Sequence, residues 1–384
     1  MAANYQLKYE EFVEHASNTS TESASVVISW HDNQLPELVG VEMDKLYQNL
    51  YSSYAQFSVS GDLNNVSTYV ARTSDKKAIA IFLFRKEGDR VEVINSVIKI
   101  NEEEIHRFVK NVFETFRSVK VISFHAVQTQ LHAFPFPHHK INFSEDIVVP
   151  LPDTGQEYLD SLGKNTKKNV KYYSNKLKRN FPSFEYKVYE KEDVEEHHIL
   201  DIIKIKNNRM ADNSKSMTID EKEIQRLIHL VKLCGFVGVA TIDGRVCAGS
   251  IGYRIGENAF GGVIAHDLAY DDYWIGMLCC YLTICASIDM GCREYHFLWG
   301  RDEYKYRWLG VQRDLDNLTI YRSWMQLVLH CGTAFSAVLQ GRKRQAKLWL
   351  LDPENKEKHL SRFAIIIRSH IQKFKRFRPG EERT

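Results

Sequence analysis

Apolar and polar residues alternate in short blocks through the first half of the chain. Two apolar stretches on either side of Gly88 have the pattern of a β-hairpin. A helix is predicted behind Asn101 as its N-cap, with Glu104 three residues on, as in a capping box. The pattern predicts a strand at 67–72, the hairpin at 78–98, the helix at 101–116 and a strand at 120–127.

The second half repeats this order of elements. Turns at Asp243-Gly244 and at 256–258 divide residues 236–267 into a three-strand meander, and Gly291 closes the apolar helix that follows. The predicted elements are a strand at 184–190, helices at 194–212 and 219–235, the meander, a helix at 275–291, and strands at 293–299 and 314–323. Each half thus has the order β–β–β–α–β, with helices before it.

We therefore expect an α/β (α+β) fold with two domains, each a mixed central β-sheet flanked by helices. Turn-forming residues at 150–155 place the boundary there. The expected divisions are 1–150, 151–325 and a basic helical C-terminal extension at 326–384. A chain of 384 residues, 44% hydrophobic and 26% charged, can bury such cores without disulfides or metals.

Charge and cysteine usage narrow the class of protein. The net charge is only +2, so DNA is not an expected partner and any basic function must be local. The seven cysteines are odd in number, form no C-x-x-C pair and lie mostly in apolar runs, as expected of small buried side chains in a reducing cytosol. We expect a cytoplasmic protein with no metal, without a signal or transit peptide at its polar N-terminus.

Two basic segments carry the local charge. Residues 161–181 hold seven Lys or Arg and no acid, and predict either a solvated linker helix or a phosphate-binding face, to which Lys164 and Lys168 would contribute. Residues 359–380 are amphipathic with a basic face, so they predict packing on the second domain or contact with an anionic membrane surface. The apolar segment 323–341 predicts a packed helix, with a membrane-embedded segment as the alternative.

A further candidate site lies where the meander meets the apolar helix. Gly276 opens that helix, and the N–H groups of Ile275, Gly276, Met277 and Leu278 would suit a phosphate. The alternative is a glycine needed only for packing.

The order of meander, glycine, helix, strand, helix and strand resembles that of the GNAT acyltransferases. The segments "YLDSLGKNTKKNVKYYSNKL" and "WGRDEYKYRW" resemble the CelD/BcsL-like branch of that superfamily, and the resemblance covers about residues 156–325. The N-terminal half resembles a degenerate GNAT domain by its order of elements alone. The layout is similar to that of Fem-type peptidyltransferases, which also carry two GNAT-like domains.

The resemblance implies an acyl-CoA co-substrate whose pantetheine arm lies along residues 259–266. Gly261 and Gly262 would suit an open strand edge, and a backbone N–H near Val263 or Ile264 would bind the oxyanion. The phosphate loop departs from the family pattern, because "DDYWIGM" has one glycine and two acids. Lys305 or the basic helix, through Lys164, Lys167 and Lys168, would then supply the positive charge.

Attack of an amine on a thioester needs a base and an acid. His266, at the end of the strand, is the first candidate base, with a strand-end histidine bonded to a neighbour as the alternative. Asp302 would act as base, orient His266, bind the amine or cap a helix. Tyr304 would protonate the thiolate or simply pack, and Arg209 would face the acceptor.

We expect an N-acyltransferase acting on an amino sugar, carried on a nucleotide, in surface polysaccharide biosynthesis. Two alternatives stay open: a Fem-type transfer from aminoacyl-tRNA, and a non-catalytic scaffold of a polysaccharide synthase complex. Attachment at the inner face of the membrane through the C-terminal extension and a homodimer are also left open.

Overall fold

A single sheet of twelve strands runs through the part of the chain that the computed structural model describes. The described residues are 26–61, 63–212 and 219–330, with the single residues 332, 341 and 343. The strands are β1 (Val27–His31), β2 (Ser67–Arg72), β3 (Ala78–Glu87), β4 (Arg90–Val93), β5 (Val121–Val127), β6 (His138–Pro150), β7 (Glu185–Glu190), β8 (Gly235–Ile242), β9 (Arg245–Ile255), β10 (Asn258–His266), β11 (Glu294–His296) and β12 (Val311–Tyr321).

Helices cover the sheet. They are α1 (Glu37–Tyr47), α2 (Tyr54–Ser60), α3 (Glu102–Thr115), α4 (Gly155–Ser161), α5 (Lys164–Asn180), α6 (Glu196–Asp212), α7 (Glu221–Cys234), α8 (Ile275–Asp289), α9 (Glu303–Arg307) and α10 (Trp324–Leu329). Short 3₁₀ turns lie at Leu50–Ser52, Lys191–Asp193 and Leu268–Tyr273. The predicted C-terminal extension lies outside the described residues beyond α10, apart from the three single residues.

The two halves share one topology, as the order of elements predicted. In each, three antiparallel strands lead to a helix and then to a strand parallel to the third: β2–β3–β4–α3–β5 and β8–β9–β10–α8–β11. The strand order in the sheet is β1-β2-β3-β4-β5-β12-β6-β11-β10-β9-β8-β7. The fold is therefore α/β with two similar halves around a mixed sheet.

The halves exchange their last strands, which the sequence pattern did not predict. β6 follows the first half but pairs with β11 of the second, and β12 follows the second half but pairs with β5 of the first. The two exchanged strands pair with each other over ten residue pairs. The boundary at 150–155 therefore assigns β6 to the first half and β12 to the second. In the sheet, β6 lies beside a strand of the second half and β12 beside a strand of the first.

Adjacent residues of the central strands contribute to two different hydrophobic cores, because the side chains of a strand point to alternate faces of the sheet. Ala259 belongs to the core under α4, α5 and α8, whereas its neighbour Phe260 belongs to the core under α6 and α7. Five of the six described cysteines are buried, as predicted, and Cys285 is partly buried. The seventh, Cys331, lies outside the described residues.

A buried cluster of charges joins the exchanged strands to β11. His296 Nδ1 lies 2.6 Å from Asp146 Oδ2 of β6, and His296 Nε2 lies 3.3 Å from Glu294 Oε2. Arg313 of β12 holds both oxygens of Glu294. Burial lowers the pKa of His296, but contacts with the two carboxylates outweigh burial and raise its pKa above the usual value.

This cluster predicts a stability that depends on pH. Folding raises the pKa of His296, so protonation of this ring stabilises the folded protein. This stabilisation is fully present below the pKa of the unfolded chain, about 6.5, and is lost as pH rises through the pKa of the folded protein. We expect His296→Gln to lower the free energy of unfolding by about 3–5 kcal/mol at pH 6, since it leaves the buried Asp146 carboxylate without its cation, whereas Glu294 keeps Arg313. Urea unfolding of both proteins at pH 6 and pH 9 measures this. An equal difference at the two pH values would contradict the assignment.

Candidate active site

A slot opens between β10 and β11 where the two strands separate. They pair in parallel only from Asn258 to Phe260, opposite Glu294 to His296. A bulge between Gly261 and Val263 follows, and from there β10 pairs with β9 alone. An extended ligand can add to such an unpaired strand edge through backbone hydrogen bonds.

The equivalent place in the first half is closed. β4 pairs with β5 as far as Val93, and Lys99 then pairs with Gln128, while Val97 N–H donates to the Ala126 carbonyl at 2.8 Å. The helix behind it, α3, also begins with Glu102, Glu103 and Glu104, which repel an anion at a helix N-terminus. Of the two halves, the second therefore has the open strand edge.

The two glycines of the slot are required by its walls. A Cβ on Gly261 would lie 2.6 Å from Tyr295 Oη, and one on Gly262 would lie 2.9 Å from the Tyr253 ring. Either contact is shorter than real Cβ atoms show. Val263 and Ile264 continue the strand beyond this bulge, opposite Ile251 and Ser250 of β9.

Helix α8 begins at the far end of the same strand edge. Its N-cap, Trp274, has φ 56°, and its carbonyl accepts from Met277 N–H at 3.1 Å and Leu278 N–H at 3.0 Å. Ile275 and Gly276 N–H are at the first two helical positions, where an intrahelical acceptor is lacking. Of the four predicted phosphate donors, Met277 and Leu278 are thus already bonded, which corrects that part of the prediction.

The His266 imidazole packs directly on Gly276. A Cβ at Gly276 would overlap the His266 ring, so the glycine permits this contact. The Arg209 guanidinium donates to His266 Nδ1 at 3.3 Å, which fixes the proton of the neutral ring on Nε2, where it donates to Asp271 Oδ1 at 2.8 Å. Burial, followed by the Arg209 charge, lowers the pKa of His266 against the opposing effect of Asp271, so the ring is neutral at pH 7.

His266 and the bulge lie at opposite ends of the slot. Four residues separate Gly262 from His266, and a strand rises about 3.3 Å per residue, so the separation is about 13 Å. His266 is therefore beside the helix N-terminus rather than beside the point where the strands part. Sequence spacing could not show this, because it does not say which end of the strand edge a ligand's reactive group approaches.

Lys305 holds the turn that follows β11. Its buried ammonium donates to the Trp299 carbonyl and, at 3.1 Å, to the Gly300 carbonyl, and it lies 3.6 Å from Asp302 Oδ2. Burial lowers the pKa of Lys305, opposed by Asp302. Gly300 has φ 90°, a left-handed conformation that glycine adopts without strain. The predicted role of Lys305 in holding a cofactor phosphate is therefore corrected to a structural one.

Asp302 and Tyr304 lie on the same turn. The Asp302 carboxylate is exposed and makes no capping hydrogen bond to α9, so the cap predicted as its alternative role is absent there. The half-buried ring of Tyr304 packs edge-on against Phe297, the first residue after β11. The two ring centroids are 5.8 Å apart. Burial raises the pKa of Tyr304, which therefore keeps its proton at neutral pH.

The predicted basic helix is α5, and it approaches the site at one end. Lys176 donates to the Asp272 carbonyl at 2.9 Å, just before α8, and its ammonium lies 4.8 Å from the centre of the Tyr273 ring. Lys164 and Lys168 are exposed and lie about 18 Å and 12 Å back along the helix axis. The structure thus brings Lys176 to α8, which sequence reasoning missed, and does not bring Lys164 or Lys168 there.

An open cleft of ≈ 1110 Å³ lies between the halves and reaches the turn after β11 through Arg301. Four cations from both halves, Lys99, Lys140, Arg301 and Arg313, line it together with amide and hydroxyl side chains and with three acids, Glu102, Asp314 and Asp316. Lys140 is paired with Asp316 at 3.1 Å, Arg313 with Glu294, and Arg301 lies 3.4 Å from Glu145. The Thr129 hydroxyl, buried at the cleft wall, has no hydrogen-bond partner among the described residues. Sequence reasoning missed this cleft because its lining comes from five separate segments.

Comparison with known proteins agrees with the fold. Residues 164–306 match the model of the acetyltransferase (GNAT) domain. The crystal structure of FemX superposes with a TM-score of 0.56 at 10% identity, covering 78% of this chain and 99% of FemX. L-PGS from Bacillus licheniformis gives 0.44 at 12% identity, covering 72% and 88%. A tandem GNAT protein of the clavulanic acid pathway gives 0.37 at 9%, covering 76% and 98%. No curated protein matches the sequence.

The domain match covers α5 to α9, the segment that builds the open slot. It confirms the expected acyltransferase, whereas the CelD/BcsL-like branch stays a prediction. Residues 164–306 thus match an acetyltransferase domain of the GNAT type, in a chain that is similar in fold to FemX over 78% of its length.

Proposed function

We propose that the second half of the chain transfers an acyl group from acyl-CoA to the amine of a nucleotide-linked amino sugar, in surface polysaccharide biosynthesis. The observation that carries this proposal is the unpaired edge of β10, which ends at an acid-free first turn of α8. The closed and acidic equivalent in the first half supports a donor site in the second half alone.

The CoA arm is proposed to lie along β10 from Gly261 to His266. Its diphosphate would meet the N–H groups of Ile275 and Gly276 together with the Arg209 guanidinium, a bidentate partner for phosphate. An extended arm then puts the thioester near the bulge, about 13 Å from His266. His266 is accordingly proposed to position the phosphate end as a neutral ring, and not to act as the base.

The acid–base groups are proposed to be Asp302 and Tyr304. The acceptor nitrogen attacks the thioester carbonyl carbon, its proton passes to Asp302, and the carbon–sulfur bond breaks. The leaving thiolate takes the Tyr304 proton, and the proton held by Asp302 returns to Tyr304 through solvent. The N–H groups beyond the bulge, at Val263 and Ile264, would bind the oxyanion.

The cleft between the halves is proposed to take the acceptor. Its cations suit a diphosphate, its amide and hydroxyl side chains suit sugar hydroxyls, and Arg301 lies next to Asp302 in the chain. Thiol release from acetyl-CoA and longer acyl-CoAs tests the proposal, with a panel of nucleotide amino sugars, their free sugars and their N-acetylated forms. Release that requires the nucleotide-linked free amine is expected, and no release with any pair would contradict it.

Removal of one exposed cation tests whether the cleft binds the acceptor. We expect Lys99→Ala to raise the KM for the nucleotide-linked acceptor about tenfold, the effect of losing one charge-assisted phosphate contact, while kcat and the KM for acyl-CoA stay unchanged. Lys110→Ala, which removes an exposed cation of α3 outside the cleft, is the matched control. Equal acceptor KM values in the two variants would remove the acceptor from this cleft.

The likeness to FemX, over 78% of this chain, favours one second candidate, transfer from aminoacyl-tRNA as in Fem-type enzymes. Calorimetry separates the two donors. Heat on adding CoA thioesters supports the first proposal, whereas no heat with CoA and saturable binding of aminoacyl-tRNA would replace it with the second.

A further inference from the structure

Helix α10 has its apolar side chains facing solvent. Trp324, Met325, Val328 and Leu329 are exposed by 71%, 66%, 64% and 69%, and at these spacings they lie on one face of the helix. The other face, with Gln326, Leu327 and His330, is partly buried against the protein. The His330 ring, for example, lies 6.0 Å from that of Tyr321 at the end of β12.

This orientation is the reverse of the usual one. A surface helix of a soluble protein turns its apolar stripe to the core and its polar residues to water. Scattered exposed apolar residues need no explanation, but a contiguous apolar patch marks a surface that binds another protein or a membrane. The outer face of α10 is such a patch among the described residues.

Cations stand beside this patch. Arg322 directly precedes the helix, and its guanidinium is fixed to the carbonyls of Val119 and Phe116 at 2.7 and 2.8 Å. Lys120 and the exposed Arg117 belong to the same turn, where Lys120 Nζ lies 3.4 Å from the Arg117 carbonyl. Arg322 thus joins the start of α10 to a turn that carries two further cations, Arg117 and Lys120, with Asp89 at the same turn as a partial counter-charge.

We propose that the outer face of α10 seats in the headgroup region of an anionic membrane. Apolar side chains with a tryptophan among them and adjacent Lys and Arg are the composition of interfacial helices. The chain that follows adds to this charge, since residues 331–384 hold thirteen Lys or Arg against five acids. In the part of the chain that the structure describes, no helix is long and apolar enough to cross a membrane.

The test uses the full chain and vesicles of phosphatidylcholine alone or mixed with phosphatidylglycerol. One variant changes Trp324, Met325, Val328 and Leu329 to Gln. Its matched control changes four exposed apolar residues elsewhere, Leu38, Val41, Leu233 and Val311, to Gln. Co-sedimentation measures the partition coefficient, while light scattering and thermal unfolding measure oligomeric state and stability.

We expect the wild-type chain and the control to bind the anionic vesicles and to lose binding as salt is added. The α10 variant should bind at least about tenfold more weakly than the wild-type chain, with unchanged stability. No binding by the wild-type chain, or equal binding by the α10 variant, would overturn the proposal. A wild-type dimer that becomes monomeric in the α10 variant would assign the face to a second copy instead. A lower unfolding temperature confined to that variant would assign it to the chain's own packing.

Discussion

Asparagine in place of Asp302 is expected to lower kcat by about 10²–10⁴-fold, the usual contribution of a general base. The exposed carboxylate stands 3.6 Å from the Lys305 ammonium on the turn that follows β11. The amide keeps the shape of the side chain but cannot take the amine proton. The KM values for both substrates should change little. Steady-state kinetics with each substrate varied in turn measures this split.

Glu303→Gln is the matched control, because Glu303 is the next acid in the chain, is exposed, and pairs with Arg307 rather than with the turn. It should keep the wild-type rate. A normal kcat in Asp302→Asn, or an equal loss in both variants, would show that the base lies elsewhere.

Valine in place of Gly276 is expected to raise the KM for acyl-CoA by about a hundredfold or more. Its side chain would overlap the His266 imidazole, displace that ring together with its Arg209 and Asp271 partners, and cover the first N–H groups of α8. His266→Ala should act in the same direction and leave kcat nearly unchanged. Titration with CoA by calorimetry, along with the kinetics, measures the change in affinity.

Gly163→Ala controls for the loss of a glycine, since a Cβ there meets nothing within 4 Å. It should leave the KM for acyl-CoA unchanged. A Gly276→Val protein that stays folded and keeps its affinity for CoA would remove the diphosphate from α8. A fall in kcat without a change in KM for His266→Ala would return His266 to the role of base.

Local patterns predicted the elements that form within one stretch of chain. The strand at 67–72 is found at the same residues, and Asn101 caps α3 by accepting from Glu104 N–H at 2.8 Å. The reciprocal bond of a capping box is absent from the described contacts, because the Glu104 carboxylate pairs with Arg107 instead. Turn chemistry and helical period are local, which is why they could be used without knowing the fold.

The exchange of β6 and β12 could not be predicted in this way. β6 begins with "HHKINFSED", in which only Ile141 and Phe143 are apolar, an alternation too short to mark a strand of thirteen residues. Its strand partners lie more than a hundred residues away. The charged cluster of His296 and Asp146 has the same origin, because the two residues meet only when β6 pairs with β11.

The candidate site shows the same division between local and distant information. Gly276 was found because a glycine at a helix start is a local signal, whereas its contact with His266 depends on how the strand and the helix cross. Lys305 has the residue type of a phosphate ligand, yet burial and two carbonyls of its own turn use its ammonium. Residue type predicts what a group is able to do, and its neighbours decide which role is left to it.

The separation of β10 and β11, set against the closed β4 and β5, is the feature on which the account rests. A crystal of the full chain soaked with acyl-CoA tests it directly. We predict density for the diphosphate at the N–H groups of Ile275 and Gly276, with the arm between β10 and β11 and the thioester at the Gly261–Gly262 bulge. Bound CoA between β4 and β5, or a slot that stays empty at saturating acyl-CoA, would contradict it.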